Sequence, residues 1–116
     1  MLYYAGIGSR ETPKEFLNLF TRVAKYLSTK SCVLRSGGAR RLQARNSHQI
    51  LGWDLNSHSD FVICWTKGGK GNGGTGQAIR IAKDYNIPVF DCGNFRDVKE
   101  CAIELKKFLD KILEEK

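Results

Sequence analysis

The chain has 116 residues, which is enough for one domain with its own core and too few for two domains. Its 19 basic and 12 acidic residues give a formal net charge of +7, which favours an anionic partner, whether a nucleotide, a nucleic acid or an acidic protein surface. Because no apolar run approaches the ~20 residues of a membrane span and no signal-like segment opens the chain, we expect a cytoplasmic protein with no membrane partner.

The first predicted elements are a strand and a helix. The strand covers residues 2–7 and meets Gly6 and Gly8, which indicate a turn. Thr12 is the predicted helix cap and Pro13 the first helical residue. Glu15, three residues after the cap, completes a predicted capping box. Apolar residues then recur at helical spacing over about four turns, which predicts one face packed on a core.

The next segments are less regular. Residues 31–35 form a short predicted strand that ends at Ser36, Gly37 and Gly38. Residues 40–51 are mostly polar, and we predict a short helix there.

A glycine-rich loop joins the third strand to the next helix. Residues 61–65 are continuously apolar, which is typical of a strand covered on both faces. The loop leads into a predicted helix that is opened by Thr75 and ends near Asn86, before Pro88. Residues 87–91 are the fourth strand, and an amphipathic helix runs from residue 97 to the end.

Strands that alternate with helices at this spacing predict an α/β fold. We expect a single Rossmann-like three-layer domain over residues 1–116, with a mostly parallel sheet of four to five strands flanked by helices. In such sheets ligands bind outside the carboxyl ends of the strands. Three of the four strands end in glycine-rich junctions, so all three junctions lie at that edge.

These junctions contain the residue types that bind phosphate. Glycines allow backbone N–H groups to approach an anion, a helix N-terminus adds partial positive charge, and arginine grips phosphate bidentately. The predicted ligand-binding residues are Gly6, Gly8, Ser9, Arg10, Ser36, Gly37, Gly38, Arg40, Arg45, Asn46, Thr66, Lys67, Gly73, Gly74, Thr75 and Gln77.

Each junction also has a purely structural interpretation. The first can be a tight turn with a solvated Arg10, Thr75 can cap its own helix, and the cations of residues 40–46 can form a solvated face. Asp91 ends the fourth strand, where it can bind a ribose hydroxyl or cap a turn. Neither a Walker A pattern nor a full GxGxxG is present.

No metal, cofactor or catalytic residue is predicted. The cysteines lack CxxC spacing, and we interpret them as buried small residues in a reducing compartment: they are Cys32, Cys64, Cys92 and Cys101. His48 and His58 have no ligand pattern around them, and we place them at the surface or at helix ends. Among the carboxylates, neither Asp54 nor Asp60 belongs to a nucleophile and base arrangement, and Asp60 opens a strand at the edge opposite the glycine loops.

Three segments resemble the SLOG superfamily, which unites the Smf/DprA DNA-processing proteins with the LOG phosphoribohydrolases. They are YAGIGSR at residues 4–10, LRSGGAR at 34–40, and DFVICWT at 60–66 with GGTGQA at 73–78. The closest likeness is to small DprA-like, Rossmann-like proteins of bacteria and their phages. The resemblance implies a nucleotide-type ligand in the glycine-lined cleft and self-association into a homo-oligomer.

The chain departs from this family in two places. Arg41 and Leu42 stand where a glycine and an acidic residue continue the family's second motif, and a central helix and strand are lacking. The LOG motif PGGxGTxxE has Asn72 in place of its proline and Ala78 in place of its catalytic glutamate. Since that carboxylate would stabilise the developing charge, the resemblance favours a binding protein over an enzyme.

Three hypotheses follow. The first is a protein that binds a nucleotide or nucleotide-derived phosphate. The alternative is a single-stranded DNA binder of the DprA kind, with Trp53 or Trp65 stacking on bases. The least favoured is a LOG-like hydrolase of nucleoside monophosphates, for which the sequence offers no base beyond Asp91.

Overall fold

A computed structural model describes residues 2–8, 11–35, 58–71 and 73–115 of the chain. The strands are β1 Leu2–Ile7, β2 Cys32–Arg35, β3 Phe61–Cys64 and β4 Val89–Asp91; the α-helices are α1 Lys14–Ser28, α2 Gly73–Asp84 and α3 Val98–Glu115; and 3-10 turns lie at Lys67–Gly69 and Cys92–Asn94. The short helix predicted within residues 40–51 lies outside the described residues.

The strands form one parallel sheet in the order β2-β1-β3-β4. In the described part of the chain, the fold is therefore α/β and Rossmann-like, with four parallel strands flanked by three helices, which confirms the predicted class. The sheet order places β1 and β3 in the interior and β2 and β4 at the edges. None of the helices described is both long and apolar enough to span a membrane.

Alternation along the strands builds a core on each face of the sheet. Tyr4, Phe61 and Ile63 point to one face, where α1 and α3 pack with Leu19, Leu27, Leu105 and their neighbours. Ala5, Ile7, Val62 and Cys64 point to the other face, where they meet Ala78, Ile79 and Ala82 of α2. This is the arrangement that period-2 strands between two helical layers require.

The predicted start of α1 is wrong by one residue. Pro13, with φ −62° and ψ 149°, is the capping residue and lies outside the helix, which begins at Lys14 without a side-chain cap. The predicted capping box between Thr12 and Glu15 is therefore wrong as well. Thr12 is instead buried at the junction after β1, where its Oγ1 lies beside Gly8.

The start of α2 also differs from the prediction. The helix begins at Gly73, so the prediction that Thr75 opens it is wrong by two residues. Its end agrees with the sequence: Asn86 has a left-handed φ of 57°, and the Ile87 and Asn86 amides donate to the carbonyls of Ala82 and Lys83. This is a Schellman termination.

Candidate functional site

The sheet order places a topological switch point at the carboxyl ends of β1 and β3. From β1 the chain continues to β2 on one side, whereas from β3 it continues to β4 on the other side. β1 and β3 therefore flank the point where the topology reverses. In open parallel sheets this reversal is where ligands bind. The described residues after β1, 8 and 11–13, and the loop after β3 therefore lie on the two sides of this point, which we call the switch-point cleft.

The loop after β3 depends on its glycines. Gly68, Gly69 and Gly71 have φ values of 64°, 70° and 68°, in the left-handed region that favours glycine. A Cβ on Gly69 would also overlap the side chain of Asn94 in the turn after β4. The loop is therefore held against the turn after β4 in a conformation that few residues other than glycine would allow.

Thr66 and Asp91 hold this loop from beneath. The backbone N–H groups of Thr66 and Gly93 donate to Asp91 Oδ1 at 2.9 and 2.8 Å, and the Thr66 hydroxyl donates to Asp91 Oδ2. The amide of Gly71 in turn donates to Thr66 Oγ1 at 3.0 Å. Of the two interpretations of Asp91, the structure shows the turn-capping one.

Two close backbone approaches fix the base of the cleft. A Cβ on Gly76, in the first turns of α2, would overlap the carbonyl oxygen of Gly71, and a Cβ on Gly93 would overlap that of Thr66. Glycine at these positions lets α2 and the turn after β4 pack directly on the loop backbone. The loop, the helix start and the turn therefore form one unit.

One ion pair spans the cleft. Lys67 Nζ in the loop after β3 lies 3.9 Å from Glu11 Oε2 in the junction after β1. Both side chains are largely exposed, so the pair contributes little to stability. Lys67 and the also exposed Lys70 are thus cations that an anion in the cleft can approach.

The predicted ligand-binding residues separate into three groups in the structure. Gly6, Gly8, Thr66 and Lys67 lie at the carboxyl edge, and Gly73, Gly74, Thr75 and Gln77 belong to the first two turns of α2. Within the first group, Thr66 is only 2 % exposed, and its hydroxyl is used in hydrogen bonds to Asp91 and Gly71. The remaining residues lie outside the described part: Ser9, Arg10, Ser36, Gly37, Gly38, Arg40, Arg45 and Asn46.

Other candidate side chains have structural surroundings. Ala78 is fully buried against the sheet, away from the cleft. Asp60 lies at the opposite edge, as the sequence predicts, and its Oδ2 accepts from the Tyr3 amide at 2.8 Å. Trp65 is buried in the core, which leaves its ring unavailable for stacking on a base.

The four cysteines are buried, and none of them forms a disulfide. Burial, followed by the charge of Asp91, raises the pKa of the Cys64 thiol. The pKa of Cys92 is also raised, first by its hydrogen bond with Cys101 and then by burial. Among the described residues, no three His, Cys, Asp or Glu side chains are grouped so that they could hold a metal ion.

The sequence interpretation overlooked one feature beside the cleft. A cavity opens over Gly6, between α1 and the strands, with Leu17 and Leu34 at its mouth. A signal for it existed in the chain: Leu17 interrupts the polar side of α1, outside the apolar stripe that contains Phe16 and Leu19.

Comparisons with known proteins returned no match: no family model, no curated protein and no solved structure is similar to this chain at a significant level. The resemblance to the SLOG superfamily therefore stays a prediction from its motifs.

Proposed function

We propose that the protein binds a nucleotide or nucleotide-derived phosphate in the switch-point cleft and acts as a binding or sensor protein. The observation that carries the proposal is the convergence of three features at one point of the sheet. These are the topological reversal between β1 and β3, the glycine loop of residues 66–71, and the N-terminal turns of α2 that follow it.

The chemistry of this point supports an anion more than a neutral ligand. Helix N-termini present unpaired N–H groups and partial positive charge, and the described first turn of α2 contains no acidic residue. Lys67 and Lys70 are exposed in the adjoining loop. If a phosphate replaced Glu11 as the partner of Lys67, the ion pair lost by Lys67 would be a long and exposed one, which contributes little to stability.

The proposal predicts ligand-dependent thermal stabilisation. Ligand at 100 times its Kd stabilises a protein by about 2.7 kcal/mol, so a panel of nucleotides and phosphate derivatives should contain at least one that raises Tm. Gly74→Asp should abolish this rise, because a carboxylate at the helix start repels the phosphate. Absence of any shift across the panel would contradict the proposal.

Two variants control this experiment. Gly74→Ala adds a side chain without charge, and Asn18→Asp adds the same charge on an exposed position of α1. We expect Asn18→Asp to keep the full ligand-dependent shift. A similar loss in Gly74→Asp and Asn18→Asp would show a general effect of charge instead of a site.

A second candidate is binding of single-stranded DNA, favoured by the net charge of +7 and by the exposed Lys67 and Lys70. Phosphate-driven binding weakens steeply with salt. Titration of a labelled oligonucleotide at about 50 and 200 mM salt tests it, and affinity that is absent or indifferent to salt would contradict it. The resemblance also suggests a homo-oligomer, which sedimentation of the purified protein would test.

The hydrolase alternative has the least support. Its catalytic glutamate would stand at Ala78, whose side chain is buried in the core, and Asp91 is occupied by the loop that it caps. Release of free base from a nucleoside monophosphate is the assay that would revive it.

A further inference from the structure

In the described part of the chain, one interior strand of the sheet is incompletely covered. Tyr4 and Gly6 of β1 face the layer of α1 and α3, and Tyr4 is buried there whereas Gly6 is exposed. β1 lies between β2 and β3, and Gly6 pairs with Ile63 of β3. The gap therefore lies over the middle of the sheet and not at a frayed edge.

Above Gly6 lies a cavity of about 160 Å³. Its mouth is formed by Leu17 of α1 and Leu34 of β2, which are 48 % and 45 % exposed. The lining consists of Tyr4, Gly6, Gly8, Leu17, Phe20, Val23, Ala24, Leu34 and Ile63. None of the described side chains that line it is charged, so an apolar group is the chemistry that they suit.

The volume limits the occupant to one ring. A cavity of about 150 Å³ lined by Leu, Ile and Phe is known to bind benzene, whereas sites for whole drug-sized ligands occupy about 300–1,000 Å³. A fused two-ring system or an entire nucleotide would not fit inside. A single six-membered ring fits, with any polar edge turned toward the open mouth.

Gly6 keeps this space open. A Cβ at this position would lie 3.2 Å from Leu34 Cδ1 and would narrow the floor of the cavity. Glycine within a strand costs stability, and it often marks a place where a ligand approaches the backbone closely. The glycine here therefore leaves both the space and the β1 backbone open to a ligand.

The cavity adjoins the switch-point cleft. Gly8 lines the cavity and also begins the junction after β1 on one side of the cleft. We propose that the cavity over Gly6 binds a single six-membered ring of the ligand whose phosphate occupies the cleft. This inference rests on the proposed function, and it narrows the ligand to phosphate esters that carry one ring, such as pyrimidine-sized bases.

The test uses the ring and the anion separately and then joined, with toluene, inorganic phosphate and phenyl phosphate as the probes. Methyl NMR signals of Leu17 and Leu34 should shift with toluene and with phenyl phosphate. Because a linked ligand gains from both sites, phenyl phosphate should bind at least about tenfold more tightly than inorganic phosphate, which corresponds to about 1.4 kcal/mol.

Two variants fill the cavity from different sides. Ala24→Leu enlarges a side chain of α1, and Leu34→Trp enlarges one on the edge strand β2. In Ala24→Leu the toluene shifts of Leu17 and Leu34 should be lost, and in Leu34→Trp that of Leu17. In both, the tenfold advantage of phenyl phosphate should be lost, while inorganic phosphate binds as before. Ile103→Trp places the same bulk on an exposed position of α3 and should change neither.

The outcomes separate this inference from the proposed function. If phosphate binds but toluene shifts no methyl signal, or if the filled variants keep the shifts, the ring site is wrong and the proposed function stands. If toluene binds but phosphate does not, the link between cavity and cleft is wrong together with the proposed function. A dimer that dissociates only in Leu34→Trp would show that a second copy covers the cavity, which would also overturn the inference.

Discussion

Thr66 and Lys67 show how neighbouring residues of one loop divide their roles. Both follow β3 and both were predicted to contact the ligand. The Thr66 hydroxyl donates to Asp91 and accepts from the Gly71 amide inside the fold, whereas Lys67 extends into solvent. Thr66 therefore shapes one side of the cleft, and Lys67 is the residue that remains available to a ligand.

Thr66→Val should destabilise the protein. The substitution keeps the shape of the side chain but leaves an Asp91 oxygen and the Gly71 amide without this partner, and an unsatisfied buried polar group costs about 1–3 kcal/mol. Urea unfolding monitored by circular dichroism measures the loss. Thr21→Val is the matched control, because the Thr21 hydroxyl is exposed on α1 and bonds only its own helix; we expect a change within about 0.5 kcal/mol. Equal effects in the two variants would contradict the role assigned to Thr66.

At the scale of elements, the start of α2 is determined by its contact with the preceding loop. Helix propensity disfavours three glycines in four residues, yet Gly73, Gly74 and Gly76 all lie in the first turn. Gly76 packs so closely on the Gly71 carbonyl that no Cβ fits. Packing therefore outweighs propensity here, and the helix begins earlier than its sequence suggests.

Gly76→Ala should reverse the usual sign of a glycine substitution. Within an ordinary helix the change stabilises by about 1 kcal/mol, but here the new Cβ must displace the backbone of Gly71. We expect a lower Tm and a weaker ligand-dependent shift, because the loop of the cleft moves as well. Asn18→Ala, at an exposed position of α1, should instead be neutral or slightly stabilising. A Tm for Gly76→Ala at or above that of the wild type would disprove the close approach.

For the whole molecule, the two cores determine how the cysteines respond to pH. Cys64 lies in the core under α2, and Cys32, Cys92 and Cys101 lie in the core under α1 and α3. All four are buried. The pKa of Cys64 is raised from 9.0 by burial, so its thiol stays protonated in the folded protein where an unfolded chain would ionise it.

Stability should therefore fall above about pH 9. The contribution of Cys64 is fully present below the ordinary thiol pKa of 9.0 and declines at higher pH, by about 1.4 kcal/mol per pH unit. Urea unfolding between about pH 7 and 10 measures this decline. Cys64→Ala should show a shallower decline, because it lacks the thiol that ionises in the unfolded chain. The comparison of the two proteins cancels the titration of other groups. Parallel stability curves for the two proteins would contradict the burial of this thiol.

Most elements of the fold could be predicted because their signals are local. The amphipathic spacing of α1 and α3, the apolar run of β3 and the end of α2 near Asn86, before Pro88, all depend on residues close together in the chain. Their alternation also implied a parallel sheet, since parallel neighbours need a helical crossover. The predicted start of α3 at residue 97 is one residue early, because the helix begins at Val98; Asp97 directly precedes it, and its Oδ1 accepts from the Lys99 amide.

The sequence by itself determined the class of fold and the edge of the sheet where its glycine junctions meet. Tertiary structure alone decided the strand order that places the cleft between β1 and β3, the hydrogen bond that occupies the Thr66 hydroxyl with Asp91, and the cavity over Gly6. These features join residues that are 25 or more positions apart, such as Thr66 with Asp91 and Gly6 with Leu34. Periodicity and propensity describe neighbours along the chain, whereas hydrogen-bond use and empty space depend on which distant residues the folded chain brings into contact.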